Sequence, residues 1–439
     1  MTLGPYKDLS EGPLDERVRR TATAITERVS VLYQPVFLAT EKLLGTEIEI
    51  IGVPDFLISH GGGYLLRDSK MSRRIDERNH PEIIIQMQLY AWLFDRATGS
   101  PPMALQVHGG TGDITEIPHD GGTSALGELE RILSIERTEN EFYEPVGWSK
   151  CDRCGFRDRC WSQAEDTGDV ALVFGVDQGL ARILNSQGTR TRKDLLSNFN
   201  GLTLSELKRP YGPRFQRVGK PAARILQSAE SMEKSREIVL QAPSIPMHDN
   251  YVMFDLEGMP PSLDELEKIY MWGAQVYGEN PSEFMAAVSG FGPNGDREGW
   301  FGFLDIVAKI FERCGEIPFV HWANYEKINL DRYVERYGDP QGLAARVRGC
   351  LLDLLEVTKE AIVLPLPSYS LKVVEDYIGF ERKGEEYGGQ WAMATFIEAT
   401  ETSDEQKRSE LMDQILAYNR EDLEATWAVF RWLRAKQAP

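Results

Sequence analysis

The chain has 439 residues, 42% of them hydrophobic, and a net charge of −19. That length suits two or three globular domains, and no run of 18 apolar residues is present to span a membrane. No apolar signal core appears in the first 20 residues. Five cysteines, an odd number, argue against a disulfide scaffold and fit a reducing, cytoplasmic setting. So acidic a chain is not a uniformly basic nucleic-acid binder. Its charge is nevertheless segmented, at −10 for residues 1–170, +5 for 171–250 and −14 for 251–439, which suggests three units with different jobs.

In chain order, residues 13–29 read as a helix. Three strand-like runs follow: SVLYQPVFLAT, then EIEIIGVPDFLISH, then YLLRDSKM after the Gly61–Gly63 turn. EIIIQMQLYAWLFDRA has helical length and spacing and precedes a short strand, MALQVHG. Residues 170–245 read as helical with glycine-centred turns and a proline-bearing linker at the end. From Tyr251 a second α/β pattern starts: YVMFDLEG, KIYMWGAQVYG and EFMAAVSG are strands, WFGFLDIVAKIFERCG is an amphipathic helix, IPFVHW is a strand, and helices dominate to the C-terminus. The expected fold is multidomain α/β, with boundaries at 1–165, 166–245 and 246–439.

Asp55 ends one apolar run, and Asp68-Ser69-Lys70 ends another 13 residues on. Strand residues two apart share a face, so Asp68 and Lys70 point together and Asp55 can meet them from the hairpin partner. Paired carboxylates bind Mg²⁺ or Mn²⁺, and a lysine beside them can orient a water and offset charge on a phosphorane-like transition state. Gln86 and Tyr90 lie one helical turn apart. Singly, each motif is common on solvated surfaces. In series they resemble the RecB-like branch of the PD-(D/E)xK nucleases. The resemblance implies metal-dependent phosphodiester hydrolysis, with Asp55 and Asp68 as metal ligands, Lys70 as the water-orienting base, and Gln86 and Tyr90 as the motif of the following helix.

Cys151, Cys154 and Cys160 form C-x2-C-x5-C, a spacing that suggests a metal site. Some RecB-like nucleases hold a [4Fe–4S] cluster on such a trio, with a fourth cysteine upstream of the core. Residues 1–150 contain no cysteine, so the ligand set is incomplete and the site is expected to be partly or wholly empty. A fourth ligand from His60, His80, His108 or His119 is the alternative. Cys314 and Cys350 are isolated and read as small buried hydrophobes.

In the basic middle, Gly188 to Leu195 resembles a helix-hairpin-helix step, a module that offers backbone N–H groups to phosphate. Arg190, Arg192, Lys193, Lys208, Arg209, Arg214, Arg217 and Lys220 are candidate phosphate contacts. Tyr211 and Phe215, interleaved among them, suit base stacking. The expected partner is DNA or RNA, single-stranded or with a free end.

Asp255 and Glu257, two apart at the end of an apolar strand, would repel unless a cation bridged them. His321-Trp-Ala-Asn-Tyr-Glu326 follows, and Tyr418 and Asp422 lie one turn apart on a helix. Together these resemble the three motifs of DEDD exonucleases of the RNase H-like fold, in the tyrosine subtype, with Glu326 where aspartate is usual and Asp331 as the fallback ligand. The resemblance implies a two-metal 3′–5′ exonuclease in which Asp255 bridges the ions, Glu257, Glu326 and Asp422 complete the ligands, and Tyr418 positions the attacking water. The order of parts, including Pro367-Ser-Tyr369-Ser-Leu371-Lys372, is similar to a family of prokaryotic RecB-like nucleases with a C-terminal RNase H-like domain. The competing reading is a non-catalytic nucleic-acid-binding or assembly subunit with one or both nuclease centres degenerate.

Overall fold

The computed structural model describes residues 5–72, 75–139, 143–147, 151, 154–212, 214–259, 268–290, 295–383 and 388–437. They gather into two compact units, one running up to Tyr143 and the other from Glu144 onward. None of the described helices is long and apolar enough to cross a membrane.

The first unit is built on a six-stranded sheet, ordered Lys7–Asp8, Val31–Tyr33, Phe56–His60, Gly63–Ser69, Leu105–His108, Ile114–Ile117. Gly63–Ser69 and Leu105–His108 run parallel, so a crossover must join them. The Pro81–Thr98 helix supplies it, with Pro81 in its first turn and Gly99 at φ 75° closing its end. Ile83, Met87, Tyr90, Ala91, Leu93 and Phe94 bury one side of this helix in the core. Two of the long strand runs expected from sequence are each split in two. Pro35 parts Val31–Tyr33 from Phe37–Leu43, and Pro54 parts Thr46–Gly52 from Phe56–His60. Proline has no N–H to give a ladder, and the two inner pieces pair as a separate hairpin.

In the second unit a five-stranded sheet runs Met285–Val288, Lys268–Gly278, Asn250–Met259, Phe319–His321, Leu351–Asp353. The first three strands are antiparallel to their neighbours, and the last two run parallel to Asn250–Met259. Leu351–Asp353 was expected to be helical. Its three residues become a strand only by pairing with Phe319–His321. Along the central strand, Val252, Phe254 and Leu256 enter a core with Trp272, Trp300 and Phe303, while Tyr251 and Met253 face a second core with Leu423, Val429 and Phe430. Each large side chain buried this way stabilises the unit by roughly 1.5–3 kcal/mol. The alternation puts Asp255 and Glu257 on the face covered by the long Glu405–Ala435 helix.

The middle segment belongs to this second unit. Ile238–Val239 pairs with Ile362–Val363, and Arg224 donates to the Ile362 carbonyl at 2.9 Å. The segment is not wholly helical as expected. After the Gln178–Ser186, Arg192–Asn198 and Gly201–Glu206 helices, Lys208–Tyr211 and Arg214–Arg217 pair as a β-hairpin, followed by the Ala222–Glu233 helix.

Candidate metal centres

Asp255, Glu257 and Asp422 bring one carboxylate oxygen each to within 4.8 Å of one another, the one such three-ligand group among the described residues. Two unit charges at that separation repel by about 3.5 kcal/mol at an effective dielectric near 20, so three of them ionised together need a cation. A register shift between Glu257 and Gly258 marks the strand end, where a bulge re-aims the side chain beside it. Asn419, one turn from Ile415 and Leu423 on the covering helix, donates from Nδ2 to Asp255 at 2.7 Å and to Glu257 at 3.5 Å. Its amide reaches the sheet only because residue 273, paired with Asp255, is glycine. A Cβ there would collide with Asn419 Oδ1.

Burial, with the charges of Glu257, Asp422 and Glu326, raises the Asp255 carboxyl well above its usual range. Burial and the charge of Asp422 push Glu257 up to about 8. Asp422 is raised by burial against the opposing pull of Arg382. Tyr418 is raised by burial and then by Asp422, Glu257 and Asp255, so its hydroxyl stays protonated at neutral pH. It can orient a water but is no general base. Oxygen donors that hold protons for want of a counter-charge suit Mg²⁺ or Mn²⁺.

Glu326 stands outside this group of three. It is buried in the first turn of the Tyr325–Tyr337 helix with its carboxylate 3.3 Å from His321 Nδ1, and burial raises it. Ala323, at φ 70°, makes the tight turn before that helix, and Asp353 Oδ1 accepts its N–H at 3.2 Å. Asp331 lies on the outer surface, ion-paired with Arg348 at 2.9 Å.

In the first unit the two acids tie their strand ends together. Asp55 Oδ2 accepts the Ser69 N–H at 2.8 Å, and Asp68 Oδ1 accepts the Asp55 N–H at 3.2 Å. Lys70 Nζ lies 2.8 Å from Asp68 Oδ2. Burial and the Asp68 charge raise the Asp55 carboxyl, against a lowering hydrogen bond from Ser69. Gln86 Nε2 donates to the Tyr90 hydroxyl at 2.8 Å, and Tyr90 lies close enough for Asp68 and Asp55 to raise it further beyond its burial. All five residues named from the sequence therefore sit together at the sheet end.

The cysteines behave differently. Cys151 is half-buried and Cys154 and Cys160 are exposed. Thiolates on one tetrahedral ion, each about 2.3 Å from it, stay within about 4.6 Å of one another. The three sulfurs do not all come within 4.8 Å of one another, so as they stand they do not surround a single ion.

Of the basic residues, Arg190 bonds Asn185 at 2.9 Å, and Arg192 and Lys193 face Glu233 at 3.8 and 3.5 Å. Arg209 pairs with Asp177, and Arg217 with Glu206 at 2.9 Å. The Gly188 turn exists, with φ 78°, but the N–H groups of residues 188–192 already bond to Asn185, Leu184, Asp194 and Gly168, so they are not open to phosphate. Lys208, Arg214 and Lys220 are exposed and form no ion pair with the described residues.

Residues 6–161 match the family model of the PD-(D/E)XK nuclease superfamily, and residues 252–434 that of the RNase_H superfamily. The chain unites a PD-(D/E)XK nuclease domain with an RNase H-like domain. Both are nuclease folds of mixed α/β type. The strand order and directions of the second sheet place Asp255 and Glu257 at its central strand and Asp422 on the covering helix. No curated protein matches the chain. Among solved structures, "Crystal structure of SSO0001" is similar at 19% identity over 33% of this chain and 67% of its own, with a TM-score of 0.22, too slight a likeness to bear on the fold. Sequence reasoning passed over Asn419, over Arg382, which pairs with Asp422, and over Glu375, which pairs with Arg382 at 2.6 Å. Only Asn419 carried a signal, as a polar residue inside the Tyr418–Asp422 turn.

The raised carboxyls have a consequence for pH. Below its ordinary value of 4.5, Glu257 is protonated whether folded or not. As pH climbs toward about 8, the metal-free fold alone retains the proton, and above that it must hold the charge. The group's stabilising contribution is therefore lost as pH rises, while cation binding, which displaces the proton, grows stronger by up to about tenfold per pH unit per proton released. The rise in thermal midpoint on adding Mn²⁺ should increase between about pH 6 and 8.5. A pH-independent rise would contradict this account of the site.

Proposed function

We propose that the chain is a divalent-metal-dependent nuclease whose RNase H-like domain digests nucleic acid from a 3′ end. The observation that carries the reading is the group of Asp255, Glu257 and Asp422, three carboxylates within 4.8 Å of one another, the last two buried and Asp255 half-buried. Bound Mg²⁺ or Mn²⁺ would acidify a water and stabilise the leaving oxygen. Asp255, Glu257 and Asp422 would hold the ions, with Asn419 fixing the first two. Tyr418, a neutral hydroxyl beside them, would orient the water. Glu326, beside His321, stands outside that group of three, with its charge felt by Asp255 and Glu257. In the first domain, Asp55 and Asp68 would hold a cation, and Lys70 would orient the attacking water.

The nucleic-acid grip is assigned to the 208–217 hairpin. Tyr211 and Phe215 are 61% and 71% exposed there, an unusual state for large rings, and Lys208 and Arg214 lie on the same hairpin, with Lys220 just after it. Cations for phosphates with rings for bases suit a single strand. In EDTA, the Asp255→Ala protein should bind labelled single-stranded DNA or RNA more tightly than duplex, and Phe215→Ala should weaken that binding by about tenfold, the value of one stacking contact. Wild-type protein should degrade the same strands with Mn²⁺ and not with EDTA. Binding without any metal-dependent degradation would favour the non-catalytic reading.

A further inference from the structure

The acidic centre has an arginine bonded directly to it. Arg382 donates from Nε and Nη2 to Glu375 at 2.6 and 2.9 Å, and from Nη2 to Asp422 Oδ1 at 2.6 Å. Its side chain is 12% exposed and Glu375 and Asp422 are buried with it. Arg382 Nη1 is buried with no hydrogen-bond partner among the described residues. Lys372 and the Tyr418 ring complete the surroundings, with Lys372 Nζ and Arg382 Cζ 6.0 and 5.9 Å from the ring centre.

Glu375 already satisfies two guanidinium donors in the bidentate geometry that arginine favours. The bond to Asp422 is the separable one, and its acceptor is one of the three oxygens gathered for a cation. We propose that Arg382 is a built-in counter-cation for Asp422: it keeps the empty centre folded and competes with the divalent ion for the Asp422 carboxylate. Glu375 is the second half of the device, since it anchors Arg382 and shares its charge. Arg382 is thus a positioning residue. This rests on the metal-dependent reading of the same centre.

The test is Mn²⁺ binding without nucleic acid, followed by calorimetry and by the electron paramagnetic signal of the free ion, with all variants compared at the same pH. Arg382→Gln should bind Mn²⁺ about tenfold more tightly than wild type, because a competing positive charge is gone. Glu375→Gln should bind it more weakly, because the arginine then serves Asp422 alone. A merely structural role would weaken binding in both variants. Thermal midpoints in EDTA should fall for Arg382→Gln while its Mn²⁺-induced rise grows. If wild type binds Mn²⁺ and Arg382→Gln binds no more tightly, or Glu375→Gln no more weakly, the inference fails alone. If Arg382→Gln does not fold, the double variant Arg382→Gln/Glu375→Gln, which leaves neither buried charge of the pair unpartnered, should bind Mn²⁺ more tightly than Glu375→Gln alone, and binding no tighter than that overturns the inference. If wild type binds no Mn²⁺, the metal-dependent reading falls and the inference with it.

Discussion

Asp255→Ala should lower Mn²⁺-dependent digestion from a 3′ end by at least about 10³-fold, the scale on which a group stabilising transition-state charge contributes. Asp255 sits at the meeting point of the centre: it is one of the three converging carboxylates, takes the 2.7 Å bond from Asn419, and lies on the central strand opposite Gly273. The same substitution should not unfold the protein. It removes one of three clustered acids whose mutual repulsion burdens the metal-free state, so the thermal midpoint in EDTA should hold or rise, while the stabilisation by Mn²⁺ should largely vanish. Asp422→Ala should also lose activity, but it deprives Arg382 of one of its two carboxylate partners among the described residues, so it should cost more stability in EDTA than Asp255→Ala. Digestion that survives both substitutions would remove the exonuclease assignment.

Lys70→Ala should abolish whatever metal-dependent cleavage remains in the Asp255→Ala background, by about 10² to 10⁴-fold, the range for a positioned acid–base group. Its ammonium lies 2.8 Å from Asp68 Oδ2, near enough to orient a water held by the two acids. Asp68→Asn should have a comparable effect through loss of the ion and should leave the Ser69 bond to Asp55 in place. The informative measurement is product length: internal cuts from this centre and single-nucleotide release from the other would separate the two activities. If the double variant Asp255→Ala/Lys70→Ala retains the cleavage seen in Asp255→Ala, the first domain's catalytic reading is wrong.

Local patterns made both carboxylate pairs legible. Asp68 and Lys70, or Asp255 and Glu257, two apart in a strand, share a face by the geometry of the pleat alone, and Tyr418 and Asp422 share one by the pitch of the helix. The apolar residues alternating with Asp255 and Glu257 also announced a strand with one face in a core, and the 16-residue run after Lys70 announced the helix that the structure uses as a crossover between parallel strands. Charge content alone misled for the basic middle, because a tally of arginines says nothing of their partners: Arg190, Arg192, Arg209 and Arg217 are engaged within the unit. Helix-prone flanks hid both the 208–217 hairpin and the Leu351–Asp353 strand, since short strands exist only through the neighbour that pairs with them. Cysteine spacing could not decide whether sulfurs converge, because that depends on side-chain direction. Which residues complete a centre was equally a tertiary matter. Asn419 reaches Asp255 across 164 positions of sequence, and Arg382 reaches Asp422 across 40. What the sequence determined by itself was therefore the identity and facing of the acids, set by strand and helix periodicity. What only the tertiary structure decided was their company, because burial, counter-charge and hydrogen bonding arise between elements that no local pattern places side by side.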